Sequence, residues 1–452
     1  MLNVDYRSLV SRADLVYESP AEASVEGTPI GNGRMGTTVW TTPDSVRFQI
    51  NRCDVFATDK YHAGHQWGTQ DYCGACGQFT ISTTGEPFRD RQTFRQHLSV
   101  YDAEALVAGD GLRVSCFVSS LRDILVIEID DQRTQPQLLR VSLSMWRDPE
   151  VQTALQLAPE REIETGTHTA SYQFSRLGAQ LLLLQKFREQ RVFTDREYVC
   201  SSAMAMNLVD VDEDQLEIDV ADERARSFAL PGGGKTTILL SSSAALEENA
   251  DVLGDAAALL DDTPDRSYAA LRDEHTTWWH KLWSRTFIHL TSDDGFADFL
   301  ERLYTLHIYY MAATSRGRFP PGGTGLLFQT RGDLFHLGAQ YWIWIVEMGY
   351  YPMFAADMLD LTDPWFDMYV RQLPDCRTAA GQRWGVADGA FFPETAPFGG
   401  PVVLPEKAAE EFRNYLLGVA PKSSLSDETR ALCQYESQLF VTTKSTKGRG
   451  DV

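Results

Sequence analysis

The chain is short of several things, and each shortage narrows its class. Cysteine is scarce, seven in 452 residues, too few for a disulfide-held scaffold and odd enough to leave one thiol unpaired. Asparagine is rarer still at six, and none sits in an Asn-x-Ser/Thr sequon. No run approaches the ~18 apolar residues that carry a helix across a bilayer. Positive charge is outnumbered, 41 Lys and Arg against 63 Asp and Glu, for a formal net charge of −22. Such a surface repels phosphate backbones and anionic headgroups, so neither nucleic acid nor membrane is an expected partner. The opening MLNVDYRSLVSRADLVYESP lacks the charged and apolar segments of a secretory signal. The chain reads as cytoplasmic as it stands, or as secreted if a leader precedes it.

Helical periodicity is also scarce before about residue 245. TTVWTTPDSVRFQIN, GLRVSCFVSS, DILVIEID, LLRVSLSMW, ASYQFS, AQLLLLQKF, QLEIDVA and TTILLSSS are short β-branched or alternating runs between Gly, Pro, Asp and Asn clusters. They predict one elaborate all-β sandwich. No repeat of 20–50 residues suggests a propeller or solenoid. DAAALLDD and SYAALRDEHTTWWHKLWSRT then turn helical, with Tyr268, Leu271, His275, Trp278, Trp279, Leu282 and Trp283 spaced by three and four. A strand is expected over FIHLT, and Ser292, Asp293 or Asp294 offers an N-cap to the following helix. That helix, FADFLERLYTLHIYYMAATSRG, is apolar around most of its circumference and is expected to be buried on all sides and closed by Gly317. The remainder reads as helices joined by Gly- and Pro-rich loops.

Aromatics are what the chain has in excess, at 11% with ten tryptophans, concentrated late as Trp278, Trp279, Trp283, Trp342, Trp344, Trp365 and Trp384. Such clusters form core, or platforms for sugar rings and bases; the net charge disfavours bases. PGGGKTT at Pro231–Thr237 looks like a phosphate loop, but Ala229 stands where the first Gly belongs and a strand follows where a helix is required. A hairpin turn is expected there. His62, His65, Cys73 and Cys76 have ligand types and gaps that suit tetrahedral zinc; turn chemistry, a local Cys73–Cys76 disulfide or free thiols are the alternatives. Gly-x-Ser-x-Gly and His-Glu-x-x-His are absent, and no dinucleotide glycine fingerprint is read as following a strand.

The segment from RFPPGGTGLLFQTRGDLFHLGAQYWIWIVEMGYYPMF to FFPETAPFGGP mixes Asp333, Glu347, Asp367, Asp388 and Glu394 with Tyr341, Trp342, Trp344 and Trp384. Glycoside hydrolysis needs a proton donor for the leaving oxygen and a second carboxylate for water or carbon. Stacked rings hold the sugar. Glu394 follows Phe391-Phe392-Pro393, an apolar setting of the kind that makes a carboxyl a general acid.

Several of these segments resemble glycoside hydrolase family 95 (α-L-fucosidase-like) and its relatives of the six-hairpin glycosidase type. TPIGNGRMGTTVWTTPDSVRFQIN is similar to their first strands, with the Gly31-Asn32-Gly33-Arg34-Met35-Gly36 turn. HTTWWHKLWSRTFIHL is similar to their joining helix, AQYWIWIVEMGYYPMF to the segment lining the sugar pocket, and FFPETAPF to the loop bearing the acid. The resemblance covers most of the chain to about residue 415. It implies a multidomain β + α protein: an N-terminal β-supersandwich (1–255), a linker helix (256–290) and an (α/α)6 barrel (291–452). It also implies inverting chemistry on an oligosaccharide or glycoside, with α-linked fucose or galactose as the sugar and with no metal or cofactor. Glu394 falls on the general acid, Asp333 or Glu347 would act on water, and Gln340, Tyr341, Trp342, Trp344 and Trp384 would bind substrate. Ile345 stands where relatives carry an asparagine near the water-activating group. Twelve helices of ~12 residues with loops of ~6 need about 200 residues, more than follow Leu290, so the barrel is expected to be partial. Two functions remain open at this level: an inverting glycosidase, or a sugar-binding or structural protein derived from one without catalysis.

Overall fold

Strands that look alike in the sequence divide between two large sheets. A computed structural model describes residues 4–21, 23–57, 73–145, 151–154, 166–191, 197–211, 214, 216–220, 222–321, 326–328 and 340–433. A ten-stranded sheet runs, edge to edge, through Leu15–Tyr17, Arg95–Ser99, Glu104–Gly109, Leu112–Val118, Ile124–Asp131, Gly234–Ala245, Tyr198–Leu208, Gln180–Arg191, Gly166–Leu177 and Val151–Ala154. A seven-stranded sheet runs through Ile218–Asp219, Ala225–Leu230, Leu139–Ser144, Cys73–Thr83, Ser45–Phe56, Met35–Thr42 and Thr28–Gly31. Neighbours pair antiparallel throughout both.

Alternation along the central strands explains why they read as continuous apolar runs. Leu125, Ile127, Leu181, Leu183, Met204, Met206, Ile238 and Leu240 face the core between the sheets, with Phe48, Phe79, Val141 and Phe228 opposite. Their neighbours Ile124, Val126, Leu182, Ala203, Ala205 and Leu239 point the other way, under a helical layer. A sheet buried on both faces has no polar side to show. Each such side chain contributes about 1.5–3 kcal/mol on burial, so these strands carry most of the sandwich's hydrophobic stabilisation.

The helices are α1 (Tyr6–Val10), α2 (Val252–Asp261), α3 (Tyr268–Trp283), α4 (Phe296–Thr314), α5 (Ile343–Ala355), α6 (Asp363–Trp384), α7 (Glu406–Leu416) and α8 (Asp427–Cys433). Helix α2 and the start of α3 cover the outer face of the larger sheet through Val252, Ala256, Leu260, Tyr268 and Leu271. Ser267 caps α3, and the residues buried on it include six of the seven expected from spacing; Trp278 is half-buried. Trp279 stacks on Tyr309 of α4, ring centroids 5.2 Å apart. His275 is sealed inside, accepting from the Ser120 amide and donating from Nε2 to the Ala103 carbonyl at 3.2 Å. Burial pushes it down to about 3, so it is held neutral.

The Gly31–Gly36 turn locks sandwich to helices. Its Asn32 side chain makes five hydrogen bonds, donating to Ser119 O, Arg122 O and Asp123 and accepting from the Arg34 and Met35 amides. Gly33 takes φ +86° and gives its amide to Ala313 O at 2.7 Å, while its own carbonyl accepts from Arg316. A Cβ there would lie 2.4 Å from Arg316 Cβ. Behind the turn, Asp123 takes bonds from Arg34 Nε at 2.6 Å and Arg52 Nη1 at 3.1 Å, and Arg52 also grips Asp54 with two nitrogens. Burial works to raise the Asp123 carboxyl, but Arg52 and Arg34 outweigh it and hold it below its ordinary range.

Four local expectations are corrected. Pro231–Thr237 is no hairpin: Ala225–Leu230 belongs to one sheet and Gly234–Ala245 to the other, so the glycines carry the chain across the sandwich edge. No strand forms at 287–291; with no ladder partner, the segment gives the Leu290 amide to the Glu301 carboxylate instead. Helix α4 is not buried all round, since Phe296, Phe299, Leu300 and Leu303 are exposed on its first half. It ends at Ser315 rather than Gly317, and Ser292 and Asp294 still accept from the amides of Ala297 and Phe296.

Candidate functional site

The residues quoted from the sequence converge on a small antiparallel ribbon. Gln340–Trp342 pairs with Thr395–Pro397, putting Trp342 opposite Thr395. The Ile343 amide donates to Glu394 O, and the Trp342 indole donates from Nε1 to Glu394 Oε1, both at 2.9 Å. The ribbon is tied down on two sides. Gln372 of α6 donates Nε2 to the carbonyls of Pro397 and Phe398, at 3.0 and 3.3 Å. The Phe398 ring stacks on Phe56 of the sandwich with centroids 4.1 Å apart and planes 9° from parallel. Helices and sandwich together therefore fix where Glu394 stands.

Glu347 lies on α5, one turn beyond Ile343. Tyr369 of α6 relates it to the ribbon: its ring meets Phe392 edge-on at 5.8 Å. Burial pushes the Tyr369 phenol up to about 12, with the Glu347 charge adding to the rise. Tyr351 is likewise raised, by desolvation and by Glu347 beside it. Glu347 is thus felt by Tyr369, whose ring meets Phe392, two residues before Glu394 in the chain.

Other expected site residues do not join them. Tyr341 is buried and donates its hydroxyl to Pro320 O at 3.2 Å, so it anchors the ribbon rather than lining a sugar pocket. Trp344 stands 60% exposed on the first turn of α5. Trp384 ends α6, fifteen residues past Tyr369 and so roughly 22 Å along the helix axis; it belongs to another surface. Asp333 lies outside the described residues, as does the side chain of Gln340. Asp367 and Asp388 are exposed to solvent. Glu394 is exposed as well, so the desolvated setting expected after Phe391-Phe392-Pro393 is not there. Tyr369 is legible only as an aromatic in DPWFDMYVR; nothing in its neighbourhood there marks it as the ring that meets Phe392 and feels Glu347.

Of the candidate zinc ligands, His62, His65 and the Cys73 side chain lie outside the described residues. Cys76 is a free, buried thiol on a strand, not in a turn, and burial pushes it up to about 12. Among the described residues no three His, Cys, Asp or Glu side chains are grouped to hold a metal ion. An open cleft of about 1,020 Å3 between Asn207–Val211 and Thr263–Ser267 shares no lining residue with the ribbon and carries no aromatic ring.

Residues 16–180 match the model of a family described as a domain of unknown function, DUF5703. No curated protein matches the chain. Among solved structures, it is similar to a protein described as a kojibiose phosphorylase from the human microbiome (11% identity, 87% of this chain and 53% of that one, TM-score 0.46). It is also similar to a bacterial glucoamylase complexed with acarbose (11%, 90% and 59%, TM-score 0.39). A third is an inverting mannosidase of family GH92 from Bacteroides thetaiotaomicron (14%, 72% and 42%, TM-score 0.35). This chain spans about half the length of those solved chains. With TM-scores below 0.5, the likenesses decide nothing here.

Proposed function

We propose that this chain handles carbohydrate, and that a glycan lies on the ribbon against Trp342, with Glu394 and Glu347 as its polar partners. One observation carries this: the Trp342 indole is pinned by its own N–H to Glu394 Oε1 at 2.9 Å. A pinned indole is a flat platform that loses little entropy when a sugar ring stacks on it, and the carboxylate beside it can accept sugar hydroxyls. Calorimetric titration of a panel of oligosaccharides tests it. Binding by the native chain should weaken at least about tenfold in Trp342→Ala; an unchanged affinity would exclude the ribbon as the site.

A second reading adds catalysis, favoured by Glu347, whose charge reaches Tyr369, and by Glu394, two residues past the Phe392 ring that Tyr369 meets. In an inverting glycosidase of family 95 type, with α4–α6 as part of an (α/α)6 barrel, Glu394 would give its proton to the leaving oxygen. Glu347 would take a proton from the water attacking the anomeric carbon on the opposite face. α-Linked fucosides and galactosides are the first substrates to try. As it stands Glu394 is exposed and accepts a hydrogen bond, the posture of a binding group, and Ile345 cannot orient water. If hydrolysis occurs, Glu394→Gln should lower rates on poor leaving groups by about 10²–10⁴ and spare good ones. Wild-type rates on both substrate classes would remove Glu394 from the chemistry.

A further inference from the structure

Beside the ribbon two arginines stand together in an otherwise acidic protein. Arg318 follows α4, and Arg371 sits on α6 next to Gln372, the residue that holds Pro397 and Phe398. Their guanidinium carbons stand 5.4 and 5.2 Å from the centre of one ring, the buried Phe319. Phe319 in turn packs edge-on against Phe398 and Phe56. Arg371 also donates from Nη2 to the backbone carbonyl of Arg318. Two cations are thereby fastened to the same aromatic support, and both side chains are exposed.

Neither has a carboxylate within ion-pair distance among the described residues, in a chain where 63 acids outnumber 41 bases and other arginines, such as Arg34, Arg52, Arg133 and Arg285, hold Asp partners. Asp367 reaches Arg371 only through its field. Partial burial and then the Arg318 charge hold Arg371 below the usual arginine range, so the two groups repel each other in the unliganded protein. Repulsion of this kind is relieved by an anion that takes hydrogens from both forks.

The pair is close to the proposed sugar platform. The Tyr341 hydroxyl binds Pro320 O, two residues past Arg318, and the Gln372 side chain holds Pro397, which faces Gln340 in the ribbon. Trp342 lies two residues past Gln340 on the same strand, roughly 7 Å along it, so a glycan of several rings that runs along the ribbon from Trp342 passes its Gln340 end, on the side of Arg371. We propose that the glycan bound at the ribbon carries an anionic substituent, a uronate carboxylate or a sulfate ester, and that Arg318 and Arg371 receive it. This rests on the carbohydrate function proposed above. The local pair also answers a general obstacle: a net charge of −22 repels acidic glycans everywhere else.

The test is calorimetry of the full chain against uronate and sulfated oligosaccharides, each paired with its methyl-esterified or desulfated neutral form. The acidic form should bind about ten- to a hundredfold tighter than its neutral partner, and the tighter series shows whether carboxylate or sulfate is the natural group. Arg318→Gln and Arg371→Gln should each cut that preference about tenfold while leaving affinity for the neutral form unchanged, which also reports that the variants fold. Arg371→Lys, which keeps the charge and loses the fork, should fall between. Trp342→Ala should weaken both forms. Equal affinity for acidic and neutral members would overturn the anion proposal and leave the sugar platform standing. Binding to neither would overturn both. Short polyphosphate bound as tightly as the acidic glycans, and unaffected by Trp342→Ala, would mean charge attraction without sugar recognition, and would also overturn it.

Discussion

The sandwich and the helices that follow it treat awkward side chains in opposite ways. In the sandwich, charges go inside and find partners: Arg52 with Asp54 and Asp123, Arg133 with Asp131. In the helical part, large apolar groups stay outside: Trp344, Met348, Tyr351 and Phe354 on α5, Phe366 and Val370 on α6. A strand in the middle of a sheet is covered by neighbours from distant parts of the chain, so anything on it must be satisfied or apolar. Helices α4–α6 pack mainly on one side, and their free faces keep residues that burial would otherwise claim. Apolar groups gathered on one face mark a surface that function or association uses.

The largest effect is expected where the sandwich hides its charges. Asp123→Ala leaves Arg52 and Arg34 without their shared carboxylate, and should cost about 3–5 kcal/mol in urea unfolding. A loss under about 1 kcal/mol would mean that water replaces the carboxylate, and that the sandwich is no better sealed than the helices.

Next comes the lock between the regions. Gly33→Ala puts a side chain at a positive φ and into Arg316, and should cost about 2–3 kcal/mol. If the contrast holds, that variant should also separate the two regions, with helical signal melting before the sheet signal. A single coincident transition at the native temperature would show that the turn carries little of the coupling.

A third test uses pH. His275 is held at about 3 in the fold, below its ordinary value near 6.5, so the unfolded chain takes up the proton first. Its contribution is therefore complete above about pH 6.5 and is lost as the pH falls towards 3, about 2 kcal/mol of it by pH 5. Urea unfolding at pH 7 and pH 5 measures this, and His275→Gln should flatten the slope. A slope unchanged in that variant would assign it to other groups.

The smallest change in stability, within about 0.5 kcal/mol, is expected from Trp344→Gln and Phe366→Gln on the exposed helical face. Their effect should be on association instead: sedimentation velocity should show less self-association than the native chain. Losses of 2 kcal/mol or more would mean that this face is covered after all.

The elements themselves are largely legible in the sequence; the contrast between them is not. Alternation marks the strands, and spacing on α3 picks out Tyr268, Leu271, His275, Trp278, Trp279, Leu282 and Trp283, all but Trp278 of them buried, because both patterns follow from the geometry of one element. Pairing between elements left no such trace. That Ala225–Leu230 and Gly234–Ala245 lie in different sheets cannot be read from a turn that suits a hairpin equally well. Apolar residues are about as dense in the exposed half of α4 as in its buried half, and the charges that set the first half apart, Asp298, Glu301 and Arg302, do not say which of its apolar neighbours are covered.

The site divides in the same way. Trp342, Glu347 and Glu394 stood out by composition, since aromatics and carboxylates together suit a sugar. Their arrangement did not, because Trp342 and Glu394 are 52 residues apart in sequence and meet only when the ribbon closes. Tyr341 and Trp342 are adjacent and equally aromatic, yet successive residues of a strand point to opposite faces. One became an anchor on Pro320 and the other a platform. Composition and periodicity therefore determined which segments are strands and helices and which residue types could meet a sugar, since these depend on local geometry and side-chain chemistry. Only the tertiary structure decided that Glu394 is exposed and bonded to an indole, and that Arg318 and Arg371 share Phe319, since burial and charge proximity arise from contacts between parts of the chain that the sequence keeps apart.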